Sequence, residues 1–140
     1  MRAYILGGLV VVGVLLSAGR IAAHHSFAAE FDANKPITLK GIVTKVEWTN
    51  PHVWFYVNVK DEKTGEVTNW GAEMGPPHGL QRRGWRRETL KIGDEISVDG
   101  FLAKNGTSNV NARSVTLSAT GGRPGQTLDA ASSNRTTETK

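Results

Sequence analysis

The chain contains no cysteine. That excludes disulfides, thiolate metal sites and a lipid-modified N-terminal cysteine. Any stability must therefore come from a hydrophobic core. Familiar catalytic signatures are missing too: there is no Gly-x-Ser-x-Gly elbow, no phosphate-cradling glycine loop and no His-Glu-x-x-His helix. Glu47 or Glu73 beside a histidine would make an acid–base pair, but any small protein offers such pairings by chance. The chain reads as a non-enzyme. Long apolar runs are also scarce: Ile5 to Leu16, interrupted by Gly7, Gly8 and Gly13, falls short of the ~20 residues a membrane-spanning helix takes.

That one run has the proportions of a secretion signal. A positive start, Met1-Arg2-Ala3-Tyr4, precedes it, and small residues up to Ile21-Ala22-Ala23 follow. Cleavage after Ala23 gives a signal peptide of residues 1–23 and a mature chain beginning at His24. Cleavage after Gly19 leaves Arg20 at the terminus, and a retained anchor is the remaining reading. Losing Arg2 and Arg20 roughly halves the formal charge of +4, so general affinity for polyanions is not expected. The expected location is periplasmic or secreted, and this compartment disfavours nucleic acid as a partner.

The mature part reads as β-strands. From Ile37 the apolar phase changes, with Leu39 and Val43 on odd positions and Val46 and Trp48 on even ones, which predicts a bulge near Gly41 to Lys45. After Asn50-Pro51, Val53, Phe55, Val57 and Val59 alternate with Trp54, Tyr56, Asn58 and Lys60. Asp61 to Gly65 makes a hairpin loop, and a third strand runs from Glu66 to Met74. Pro77 opens a short helix to about Arg83, with Leu80, Trp85, Leu90 and Ile92 pinning the segment to the core. A fourth strand carries Ile96, Val98 and Leu102; Asn105-Gly106 turns the chain; a fifth strand covers Asn109 to Leu117.

The fold class is therefore mainly β: a five-stranded OB-like barrel over residues 37–119, with one short helix between strands 3 and 4. An open β-sandwich is the competing architecture. Residues 24–36 form an N-terminal extension with the His-His pair, and the polar residues 120–140 read as a disordered tail.

Three stretches carry a resemblance: His24-His25-Ser26-Phe27-Ala28-Ala29-Glu30-Phe31-Asp32, Leu39-Lys40-Gly41 through Val46-Glu47-Trp48-Thr49-Asn50-Pro51-His52, and Leu90-Lys91-Ile92-Gly93-Asp94. The chain resembles a group of small exported bacterial proteins classed as a domain of unknown function, DUF6152. The resemblance implies a secreted, OB-like single domain and transfers no catalytic residues.

Three constellations are candidates for binding. A mature N-terminal His24 offers its α-amine and ring, His25 adds a second imidazole, and His52 is the candidate third ligand for copper or zinc. His78 approaches only if the loops gather at one end. The alternative is a solvated terminus with His52 bonded to backbone. Trp48, Trp54 and Tyr56 make an aromatic outer face that either stacks a ligand or is covered by Phe27 and Phe31. Arg82, Arg83, Arg86, Arg87 and Lys91 make a basic cluster, either a docking surface or a solvated helix face. The expected function is an exported, non-catalytic binding or accessory domain, monomeric or weakly self-associating. Its alternatives are a periplasmic copper- or zinc-binding protein and a docking subunit for a membrane or secreted enzyme, with an unknown protein or small ligand as partner.

Overall fold

The computed structural model describes residues 27–131. Its elements in chain order are α1 (Phe27–Glu30), β1 (Phe31–Glu47), β2 (Trp54–Lys60), β3 (Val67–Glu73), α2 (Pro77–Arg82), β4 (Glu95–Ala103), β5 (Asn109–Leu117) and β6 (Gln126–Asp129). The sheet order is β3-β2-β1-β4-β5-β6, and a further pairing of β3 with β5 joins the first five strands into a closed ring. All neighbours are antiparallel except β3 and β5. The five strands and the helix stand where the sequence pattern puts them, and the protein is mainly β.

The long β1 serves two partners. Its first part pairs with β4 from Phe31 to Ile42, and its last residues pair with β2 from Ile42 to Glu47. The register slips between Val43 and Lys45, where the apolar phase changes. An extra residue there bends the strand so that its ends lie on different neighbours. Val43, Phe55, Val57, Ala72, Met74, Ile96, Val98, Val110 and Val115 point into the ring and form its core. Trp85 and Leu80 join them from α2 and the segment after it.

Three expectations need correcting. The N-terminal extension is not separate, because Phe31 to Pro36 already belong to β1 and pair with β4. Phe31 is buried, so the strand starts where an apolar anchor is available. Ile92 does not pin its segment: it is 74% exposed, since the Lys91–Asp94 turn carries it outward while Leu90 goes in.

The polar tail is not wholly disordered either, because Gln126–Asp129 adds a sixth strand on β5. Composition underestimated this stretch because its hydrogen bonds come from elsewhere. The Trp85 indole N–H donates to the Asp129 carbonyl at 2.7 Å, Arg83 donates to the Ala131 carbonyl at 2.6 Å, and Gly75 N–H to the Ala130 carbonyl at 3.1 Å. Arg123 pairs with Asp94 at 2.7 Å just upstream. The signal peptide, His24 and His25, and residues 132–140 lie outside the described residues.

Candidate functional site

Strand alternation decides which side chains reach the outer face. In β2 the core takes Phe55 and Val57, so Trp54 and Tyr56 face outward and are half-buried. The β2–β3 register sets Trp54 opposite Glu73 and Tyr56 opposite Gly71. The β3–β5 closure then sets Glu73 opposite Asn111 and Gly71 opposite Asn109. Trp54, Glu73 and Asn109 line a cavity of about 450 Å3, whose other wall is Ala29, Glu30, Phe31 and the Ala103–Asn105 end of β4.

That second wall is the start of the described chain. Phe27 stacks on Phe31 at 5.9 Å and meets Phe101 edge-on at 5.6 Å. The Lys104 backbone N–H donates to the Glu30 carbonyl at 2.8 Å, and its ammonium donates to the Ala28 carbonyl at 2.5 Å. Phe27 thus packs on Phe31 and Phe101, and Phe31 shares the cavity lining with Trp54.

His52 precedes β2 in the extended segment after Pro51. Its Nδ1 lies 2.5 Å from Glu73 Oε1, with the histidine side chain 28% exposed and the glutamate 7%. A carboxylate at that distance accepts a hydrogen bond from Nδ1–H, which leaves Nε2 as the lone-pair nitrogen of the neutral ring. This is the arrangement in which a carboxylate orients a metal-binding imidazole. Glu73 therefore serves twice, holding His52 and lining the cavity. The hairpin register contains the signal for this pairing: Val53 N–H donates to the Gly75 carbonyl and Met74 N–H to the Val53 carbonyl, so His52 falls beside Glu73.

The other expected residues separate. Trp48 is not on the outer face; it is buried in the core, because the residue after Glu47 returns to the inward phase. His78 is exposed on α2, and among the described residues no three His, Cys, Asp or Glu side chains gather around one point. Of the basic cluster, Arg83 is half-buried and Arg82, Arg86, Arg87 and Lys91 are exposed, and three of the arginines bind carbonyls. Arg83 holds Ala131, Arg86 holds Gln81 at 3.2 Å and Trp85 at 2.9 Å, and Arg87 reaches Trp48 at 3.5 Å. Of these acceptors, Gln81 and Trp85 lie at and just past the end of α2, where carbonyls lack helical partners.

Lys45, Glu47 and Tyr56 form a polar network on the same outer face. Lys45 lies 2.5 Å from Glu47, and the Tyr56 hydroxyl donates to Glu47 at 3.2 Å. The hydrogen bond from Lys45 holds the Glu47 carboxyl below the usual range, and the same bond raises Lys45. Burial, then the Glu47 charge, push the Tyr56 phenol up.

A closed ring of five strands, with a short N-terminal helix beside a cavity that Glu73 lines and the His52–Glu73 pair next to it, defines a small, mainly β domain. The chain matches the Family of unknown function (DUF6152) over residues 12–112 and belongs to that family. No curated protein matches it. Among solved structures it is similar to the mitochondrial single-stranded DNA binding protein Rim1 from S. cerevisiae. One crystal structure of that protein gives a TM-score of 0.49 at 9% identity, covering 62% of this chain and 96% of that one. The selenomethionine-labelled form gives 0.48 at 13% identity, covering 62% and 97%. No helix among the described residues is long and apolar enough to cross a membrane.

Proposed function

We propose that this is an exported, non-catalytic binding domain of OB type whose ligand is a copper or zinc ion. The OB reading is supported by the order of elements: three strands, a helix, two strands, and a parallel closure of the third strand on the fifth. Export rests on the sequence of residues 1–23, and the first measurement is N-terminal sequencing of periplasmic protein, expected to begin at His24.

The observation that carries the metal reading is the His52–Glu73 pair beside the wall formed by Ala29 to Phe31. His25 lies only two residues before Phe27, a reach of at most about 7 Å. The described residues alone do not assemble three ligands. The nitrogens of His24 and His25 are what would complete the set, with His52 Nε2 as the ligand that the fold itself orients.

Calorimetric titration of Cu(II) and Zn(II) into the chain starting at His24 tests this. We expect binding at about micromolar or tighter. His52→Ala should abolish or greatly weaken it, and Glu73→Gln should weaken it about 10- to 100-fold by loosening the ring's orientation. Failure of both metals to bind at micromolar concentration overturns the metal reading.

A further inference from the structure

A second recessed surface lies on the outer side of β1, β4, β5 and β6, an open groove of about 1,090 Å3. Strand register lays polar side chains across its floor in a row: Thr38 opposite Asp99, Asp99 opposite Ser114, Ser114 opposite Asp129. Thr38 and Ser114 both donate to the Asp99 carboxylate, at 2.6 and 3.1 Å. The neighbouring row adds Thr116 and Thr127, whose hydroxyls meet at 2.9 Å. At one side the Arg113 guanidinium lies over the Phe101 ring, 5.8 Å from its centroid. At another, Arg83 approaches Asp129 at 3.7 Å.

The chemistry of this lining narrows its occupant. Arg83 and Arg113 are matched by Asp99 and Asp129, so the groove offers no net charge to a polyanion or a metal ion. Its floor is too polar for an acyl chain or the apolar face of a helix. What it offers is a dense alternation of donors and acceptors. A carboxylate has about four lone-pair sites, so Asp99 can accept from two ligand hydroxyls beyond Thr38 and Ser114. Those two hydroxyls keep their own lone pairs, and the stacked Phe101–Arg113 pair supplies a flat wall for the C–H face of a ring. The volume lies just above the range of small-molecule sites, about 300–1,000 Å3, which suits several linked rings better than one.

We propose that this groove binds a neutral oligosaccharide. It shares no lining residue with the cavity that Glu73 lines, and His52 is not in its lining, so the two proposals stand or fall separately.

The test is calorimetric titration of the protein with cellotetraose, chitotetraose and maltotetraose, and with dextran sulfate as the polyanion. At least one neutral tetrasaccharide should bind at about 1 mM or tighter. Asp99→Ala and Arg113→Ala, both exposed, should each weaken that binding tenfold or more while the melting curve stays near that of the parent. Glu73→Gln should leave it unchanged. The proposal is overturned if no neutral tetrasaccharide binds at about 10 mM, if dextran sulfate alone binds, or if binding is indifferent to both substitutions.

Discussion

Gly100 shows how much one missing side chain allows. It sits on β4 opposite Ala112, and a Cβ there would run into the backbone carbonyl of Asn111. Gly41 has the same relation to the Asn58 carbonyl on β2. Because the obstacle is backbone, the strands themselves must move. Gly100→Ala should cost about 1–3 kcal/mol, as overpacked cores do. For a domain of about 100 residues that lowers the melting temperature by roughly 5 °C per kcal/mol, readable by circular dichroism.

Tyr56 offers a second residue-scale outcome. Its phenol is raised first by burial and then by Glu47, so Glu47→Gln should bring its ionisation down without restoring an ordinary value. Phenolate absorbance across an alkaline titration reads this directly. Glu47's own depressed pKa contributes stability that is present above the unfolded carboxyl range and is lost as pH falls through the folded value. Both Glu47 and Lys45 are open to solvent, so the acid limb should be shallow.

At the scale of elements, the segment after α2 matters more than its irregular shape suggests. Trp85 is fully buried and its indole holds the Asp129 carbonyl, so it ties α2, the core and β6 together. Trp85→Phe keeps most of the apolar volume but removes the donor. The expected result is faster hydrogen exchange at the Gln126–Asp129 amides with little change in β1–β4.

The sequence made β2 plain because its alternation is strict, and the bulge in β1 plain because the apolar phase changes there; the phase change in β5 between Ala112 and Val115 went unread. It did not reveal β6, whose fastening comes from side chains some forty residues earlier, with Leu128 as its main apolar contribution. At the candidate site, the outward Trp54 and Tyr56 follow from alternation alone. Glu73 as the partner of His52 needed the hairpin register, and Trp48 was misplaced because its position relative to the end of β1 was not visible. The hold of Arg83 on Ala131 was not visible because charge in a sequence does not show which carbonyls it will meet.

The whole molecule depends on where its ring is sealed. β1 is made early, yet its long partner β4 begins only at Glu95, and the ring closes when Asn109–Asn111 reaches Gly71–Glu73. Such distant pairings belong to slow-folding β topologies, on the order of milliseconds to seconds. A chain emerging end first therefore has β1, β2 and β3 available as a meander long before closure, with the Phe31–Leu39 part of β1 still lacking β4. An unpaired strand is an invitation to another chain. The consequence of a seal made so late is that any pause in synthesis before about residue 111 leaves that stretch of β1 open to a neighbouring chain, and rapid delivery of β4 and β5 is what shuts it.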